Sequence, residues 1–176
     1  MQVERARAIF EAAVQQPVLN MPEQLWRAFV DFETEEEETD RARAVYRELL
    51  KRTKHVKVWM SMAQFEVALT PPDFVRARAI YKEGFGMLGE TQQKEERLML
   101  LEDWIAFEQE HGDEKTVKDV EANQPKRIVK KRAIKTADGA DAGWEEYYDY
   151  IFPDEKGATP NLKLLEMAQA WKKQKV

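Results

Sequence analysis

Glu33, Glu66 and Glu108 each close the same short pattern of large apolar residues, and these carboxylates are the first groups whose type and spacing could do chemistry. Trp26, Phe29, Phe32 and Glu33 stand at offsets 0, 3, 6 and 7; Trp59, Met62, Phe65 and Glu66 repeat them, and Leu101, Trp104, Phe107 and Glu108 do so more loosely. Residues one turn apart share a helix face, so each glutamate is carried next to an apolar stripe. A carboxylate taken out of water there needs a partner. Candidate partners recur in step with it: Arg41 and Arg43 before Tyr46, and Arg76 and Arg78 before Tyr81. We expect a recurring, partly shielded ion pair within each repeat; spacing does not say which arginine meets which glutamate. The stripe itself reads as helix packing, because an aromatic platform for nucleic-acid bases must stay exposed.

Catalytic chemistry finds little support. His55 and His111 are the only histidines and neither has a metal-ligand spacing; cysteine is absent, which removes disulfides, thiolate nucleophiles and cysteine metal sites. Gly84, Gly86 and Gly89 spell G-x-G-x-x-G, but no β-rich run precedes them, so they are expected to end a helix rather than to hold a dinucleotide. No catalytic, cofactor or metal residue is assigned, and the chain is not expected to be an enzyme. At 35% charged and 43% hydrophobic residues, the composition suits a water-soluble helical protein. No apolar run approaches the roughly 18 residues of a membrane span, and Glu4, Arg5 and Arg7 fall where a signal peptide would be apolar. Neither membrane insertion nor a small-molecule substrate is expected.

The elements that must position the stripes are helices in pairs. The arginine-alanine block begins at Arg5, Arg41 and Arg76, steps of 36 and 35 residues, and a period in that range with two helices per copy marks a helical solenoid. Helices are expected over about Val3–Gln16, Glu23–Glu37, Arg41–Lys51, Val56–Leu69, Phe74–Met87 and Glu95–Glu110. Thr39 or Asp40 can cap the third, and Asp73, after Pro71 and Pro72, the fifth. The first helix has the arginine block but no tryptophan-bearing helix before it, as though the array started in mid-repeat. The acids Glu35–Glu38 read as the solvated end of a helix.

After Glu110 the pattern drifts. Val117, Val120, Ile128 and Val129 read as helix on either side of Pro125. Lys126, Arg127, Lys130, Lys131, Arg132 and Lys135 put six bases into ten residues without an acid, whereas Asp138–Glu155 holds seven acids and no base. The basic cluster reads as an import signal or an RNA patch, import being favoured because stacking aromatics are not adjacent in sequence. Trp144, Tyr147, Tyr148, Tyr150, Ile151 and Phe152 then crowd nine residues, a segment expected either to pack back on the repeats or to anchor in a partner. A last helix is expected from Pro160, with Leu164, Met167, Ala168 and Trp171 on one face.

The aromatic helix ending in F-E, followed by R-A-R-A-[IV]-[YF], resembles the half-a-TPR (HAT) repeat, a helical hairpin of RNA-processing scaffolds, over Val3–Glu110. The basic cluster, DGADAGWEEYYDYIFPDE (Asp138–Glu155) and PNLKLLEMAQAWKKQ (Pro160–Gln174) are similar to the C-terminal end of the crooked neck family of pre-mRNA splicing factors. The resemblance implies an all-α superhelical solenoid of antiparallel helix pairs over residues 1–135, with an irregular and helical extension over 136–176. It also implies a nuclear, non-catalytic scaffold among spliceosomal proteins of the nineteen complex, without a cofactor. An RNA-binding role in another processing complex, or an indirect or peripheral RNA contact, is the alternative. Leu101 in place of tryptophan and the missing block after Glu110 are departures from the repeat.

Overall fold

Among the described residues the helical period becomes seven helices, and the change of composition after Pro125 becomes a β-hairpin. The computed structural model describes residues 2–16, 22–135 and 141–157. The helices are α1 (Gln2–Val14), α2 (Pro22–Glu35), α3 (Thr39–Arg52), α4 (Val56–Ala68), α5 (Phe74–Glu90), α6 (Lys94–His111) and α7 (Glu114–Glu121). Strands β1 (Lys126–Lys135) and β2 (Asp141–Ile151) follow, and then a 3-10 turn, Pro153–Gly157. The chain divides into two compact units, Met1–Met87 and Leu88–Val176. The expected helix after residue 160 lies outside the described residues.

In the first unit α1 packs on α2, α2 on α3 and α3 on α4. The stripe and its partners supply the core: Trp26, Phe29 and Val30 from α2, Ala42, Val45 and Tyr46 from α3, Trp59, Met62 and Phe65 from α4, and Ala77, Ile80 and Tyr81 from α5 are all buried. Phe10 stacks on Phe29 at 5.1 Å between ring centres and tilts against Phe32 at 5.3 Å; Tyr46 meets Phe65 at 5.7 Å. Ile9 matches Val45 and Ile80 in the arginine block yet is 69% exposed, against 7% and 0%. No described helix of this unit covers that side of α1.

The helix ends differ from the expected ones. α2 stops in a Schellman motif, with Glu37 N–H donating to Thr34 O and Glu38 N–H to Glu33 O, and Glu37 takes the left-handed φ of 57° that this motif demands. Part of the acidic run is therefore a chain reversal. The motif returns at the end of α5, where Gln92 has φ 59° and Gln92 and Gln93 donate to Gly89 and Leu88. Thr39 and Asp40 do not cap α3; the helix begins at Thr39, Glu38 holds the cap position without a side-chain bond, and Asp40 pairs with Arg43 at 2.8 Å. Asp73 does cap α5, accepting the Arg76 N–H at 2.9 Å. Gly84, Gly86 and Gly89 lie inside α5 rather than ending it, since the helix runs to Glu90.

In the second unit α6 packs on α7 and touches β2. Asp113 and Thr116 form a capping box that starts α7: the Asp113 carboxylate accepts the Thr116 N–H at 2.8 Å and the Thr116 hydroxyl accepts the Asp113 N–H at 2.9 Å. A side chain at Gly112 would meet the Glu108 carboxylate and the Thr116 hydroxyl at 2.5 Å, so this corner excludes even alanine. The segment after Pro125 is strand, not helix. β1 and β2 pair antiparallel from Lys126 opposite Ile151 to Lys135 opposite Asp141, with an irregularity after Ile134. Ile128, Val129 and Ile134 favour an extended chain, and the ladder comes from a segment some twenty residues away, which local periodicity does not register. Among the described residues the fold is thus mostly helical, with a two-stranded sheet whose second strand falls in the segment expected to be an irregular and helical extension.

Trp59 is buried against the first unit's core. Trp59→Ala should destabilise the protein by about 3–5 kcal/mol, read as a lowered denaturant midpoint. An unchanged midpoint would show that the stripe does not form the core.

Candidate interaction surface

Two buried carboxylates set the geometry of the repeats. Arg7 on α1 holds Glu33 on α2 with both its Nε and a terminal nitrogen, each at 2.7 Å; Arg43 on α3 holds Glu66 on α4 in the same fork, at 2.8 and 2.7 Å. Glu33 and Glu66 are about as buried as any residue in the protein. The bonds to the glutamates push the guanidinium pKa of both arginines upward. This corrects the expectation of an ion pair within each repeat. In the first two blocks the second arginine reaches forward to the glutamate of the next aromatic helix, Arg7 to Glu33 and Arg43 to Glu66.

The other residues of the motif divide by exposure. Arg41 and Arg76 are exposed and make only local pairs, with Glu38 at 3.9 Å and Asp73 at 3.3 Å; Arg78 is half-buried. Tyr46 places its hydroxyl 2.9 Å from that of Ser61. Phe32 is half-buried. On α6, Leu101, Phe107 and Glu108 are buried, and the half-buried Trp104 donates its indole N–H to Glu108 at 3.2 Å. The helices leave two open clefts of about 330 and 370 Å³, the first walled by Trp26, Val45, Arg41 and Arg52, the second by Trp26, Tyr46, Lys57 and Ser61.

The aromatic segment splits in two. Phe152 is fully buried under the Arg97 guanidinium, 4.3 Å above its ring, and Arg97 also forks onto Asp154 at 3.2 and 2.6 Å. Lys94 adds a bond to the Tyr150 carbonyl at 2.7 Å and an ion pair with Glu155 at 3.1 Å. Arg97 lies so close to α5's last turn that a Cβ at Gly89 would fall 2.8 Å from it. This clasp ties the end of β2 to the start of α6. No spacing in the sequence announces it, although a buried arginine on a helix facing an acidic turn is the signal to seek. Tyr150 and Ile151 are half-buried, while Trp144 and Tyr148 are 72% and 60% exposed and Tyr147 is open.

The basic cluster lies on β1 directly across from the acids of β2. Lys130 pairs with Asp149, Lys131 with Glu146 at 3.0 Å and Arg132 with Glu145 at 2.9 Å. Arg127 stacks on Tyr148 at 4.5 Å and Arg132 on Tyr147 at 5.5 Å. The sequence argument against RNA, that no aromatics stand beside the bases, fails in space. The side chain of Lys135 lies outside the described ones.

The clasp and the forked pairs each carry a testable consequence. Glu66→Ala should cost about 3 kcal/mol in chemical denaturation, since it strands the Arg43 charge, whereas Arg43→Met with Glu66→Leu should recover most of that loss. A negligible loss in the single variant would show the pair to be solvated. The bonds from Arg97 hold the Asp154 carboxyl below the usual carboxylate range. A lowered folded pKa stabilises above the unfolded value, near 3.9, and that contribution is lost as pH falls through the folded one. Amide protection at Phe152 should therefore weaken in acid below about pH 4, and in Asp154→Asn it should be weaker at neutral pH with less acid dependence. Equal protection in both proteins at every pH would rule out the Asp154 contribution.

No family model matches the chain. Curated relatives match nearly all of it: crooked neck-like protein 1 of Mus musculus is 53% identical over 173 residues and that of Homo sapiens 51% over 173, each alignment covering 98% of the chain. The protein crooked neck of Drosophila melanogaster is 48% identical over 180 residues. The chain spans only 25%, 20% and 26% of the lengths of these relatives. With the stripe, the arginine block, and a tail alike from end to end, the chain belongs to the crooked neck family.

Proposed function

We propose that this chain is a non-catalytic scaffold segment in pre-mRNA splicing, acting in the nucleus and holding spliceosomal proteins of the nineteen complex together through the surface of its helical repeats. The observation that carries the reading is the use of Glu33 and Glu66, whose carboxylates are spent on the forked pairs that set one repeat against the next. Relatives named as pre-mRNA-splicing factors, such as that of Yarrowia lipolytica at 44% identity, supply the process. The open clefts beside Trp26 suit side chains or short segments of a protein partner better than an enclosed metabolite. An array over residues 1–135 that continues as a superhelical solenoid, with an extension over 136–176, belongs to the same proposal. In it the hairpin bridges the two parts.

The import reading of the basic cluster loses ground to the fold. A linear import signal must present its bases freely, and Lys130, Lys131 and Arg132 are each paired across the hairpin.

Deleting residues 22–111 from the full-length protein should strip spliceosomal proteins from its tagged preparations and abolish splicing of a reporter in cells that depend on it. Full complementation with an unchanged set of co-purifying proteins would overturn the scaffold reading.

A further inference from the structure

Side chains alternate across a strand pair, so the register of the hairpin assigns its two faces. Arg127, Val129, Lys131 and Ala133 of β1 share one face with Tyr150, Tyr148, Glu146 and Trp144 of β2. That face is open to solvent over Val129, Tyr148 and Trp144, which are 55%, 60% and 72% exposed. Exposed aromatics beside bases are the requirements of a stacking platform.

Charge decides what such a face can hold. The three acids Glu145, Glu146 and Asp149 are each neutralised by a base on β1. Lys126 and Arg127 have no carboxylate within pairing distance among the described residues, so the described side chains of the hairpin keep an excess of positive charge. Arg127 is already stacked on Tyr148. We propose that this face of the hairpin binds single-stranded RNA, Tyr148 and Trp144 each stacking on a base while Arg127 meets a phosphate. Four strand residues separate the two rings, about 13 Å, which is room for two or three nucleotides. One phosphate neutralised corresponds to a salt slope of about −0.7 on a logarithmic scale, which makes this an accessory contact rather than the seat of affinity. The choice of RNA over DNA rests on the splicing role proposed above.

The test is fluorescence anisotropy of a labelled 12-nucleotide oligouridylate with the intact chain, from 50 to 200 mM salt. Binding should show a slope of about −0.7 and quench Trp144 fluorescence. Trp144→Ala and Tyr148→Ala should each weaken it about tenfold, Trp144→Phe should restore most of the affinity, and Arg127→Gln should flatten the slope. Unchanged amide protection along the β1–β2 ladder shows that each variant keeps the hairpin. Affinity indifferent to both aromatic substitutions overturns the proposal. So does binding of oligothymidylate without oligouridylate. Absence of RNA binding with Trp144 protected only in a protein assembly also overturns it and makes the face a protein dock. In each of these cases the scaffold reading stands, because co-purification tests it separately.

Discussion

A carboxylate inside an aromatic stripe is the constraint on which the first unit depends. Glu33 sits at 1% exposure and Glu66 at 0%, positions that an apolar residue would fill without cost of desolvation. The cost is offset only when two guanidinium nitrogens meet the two oxygens in one plane, as Arg7 and Arg43 do. A leucine there would tolerate many rotations of one helix against the next, whereas a fork tolerates one. The pair's use is thus in choosing a register rather than in adding net stability.

The second unit repeats the device with different parts. Arg97 takes Asp154 as its carboxylate and the face of Phe152 as its apolar cover, fixing an irregular turn rather than a helix. Lys94 closes the same corner from one turn earlier on α6. Among the described residues the hairpin is held at this end, and its far end carries Trp144 into solvent. Two-stranded ribbons are marginal alone. Its cross-strand ion pairs are exposed and individually weak, so the clasp is what orders it.

The helices were readable because their signals are local. Stripe spacing placed α2, α4 and α6, the arginine block placed α1, α3 and α5, and Asp73 marked a helix start. What escaped depends on residues far apart in the chain. Arg43 and Glu66 are separated by the whole of α3's end and most of α4, and nothing in their spacing chooses Glu66 over Glu33. The ladder between Lys126–Lys135 and Asp141–Ile151 exists only as a pairing. Read singly, a basic run suggests a signal or an RNA patch and an acidic aromatic run a packing or anchoring segment; side by side three of their charges pair and the rings of Trp144 and Tyr148 are exposed. Glu37 and Gln92 escaped for another reason: a left-handed cap is usually announced by glycine, and here the bonds of the Schellman motif hold other residues in that conformation.

That the arginine block locks forward onto the next aromatic helix is the central claim, and a pair of double-mutant cycles reads it most directly. Arg43 should couple to Glu66 by about 2 kcal/mol and to Glu33, on the other helix beside it in sequence, by less than about 0.5 kcal/mol. Equal coupling, or stronger coupling to Glu33, would contradict it.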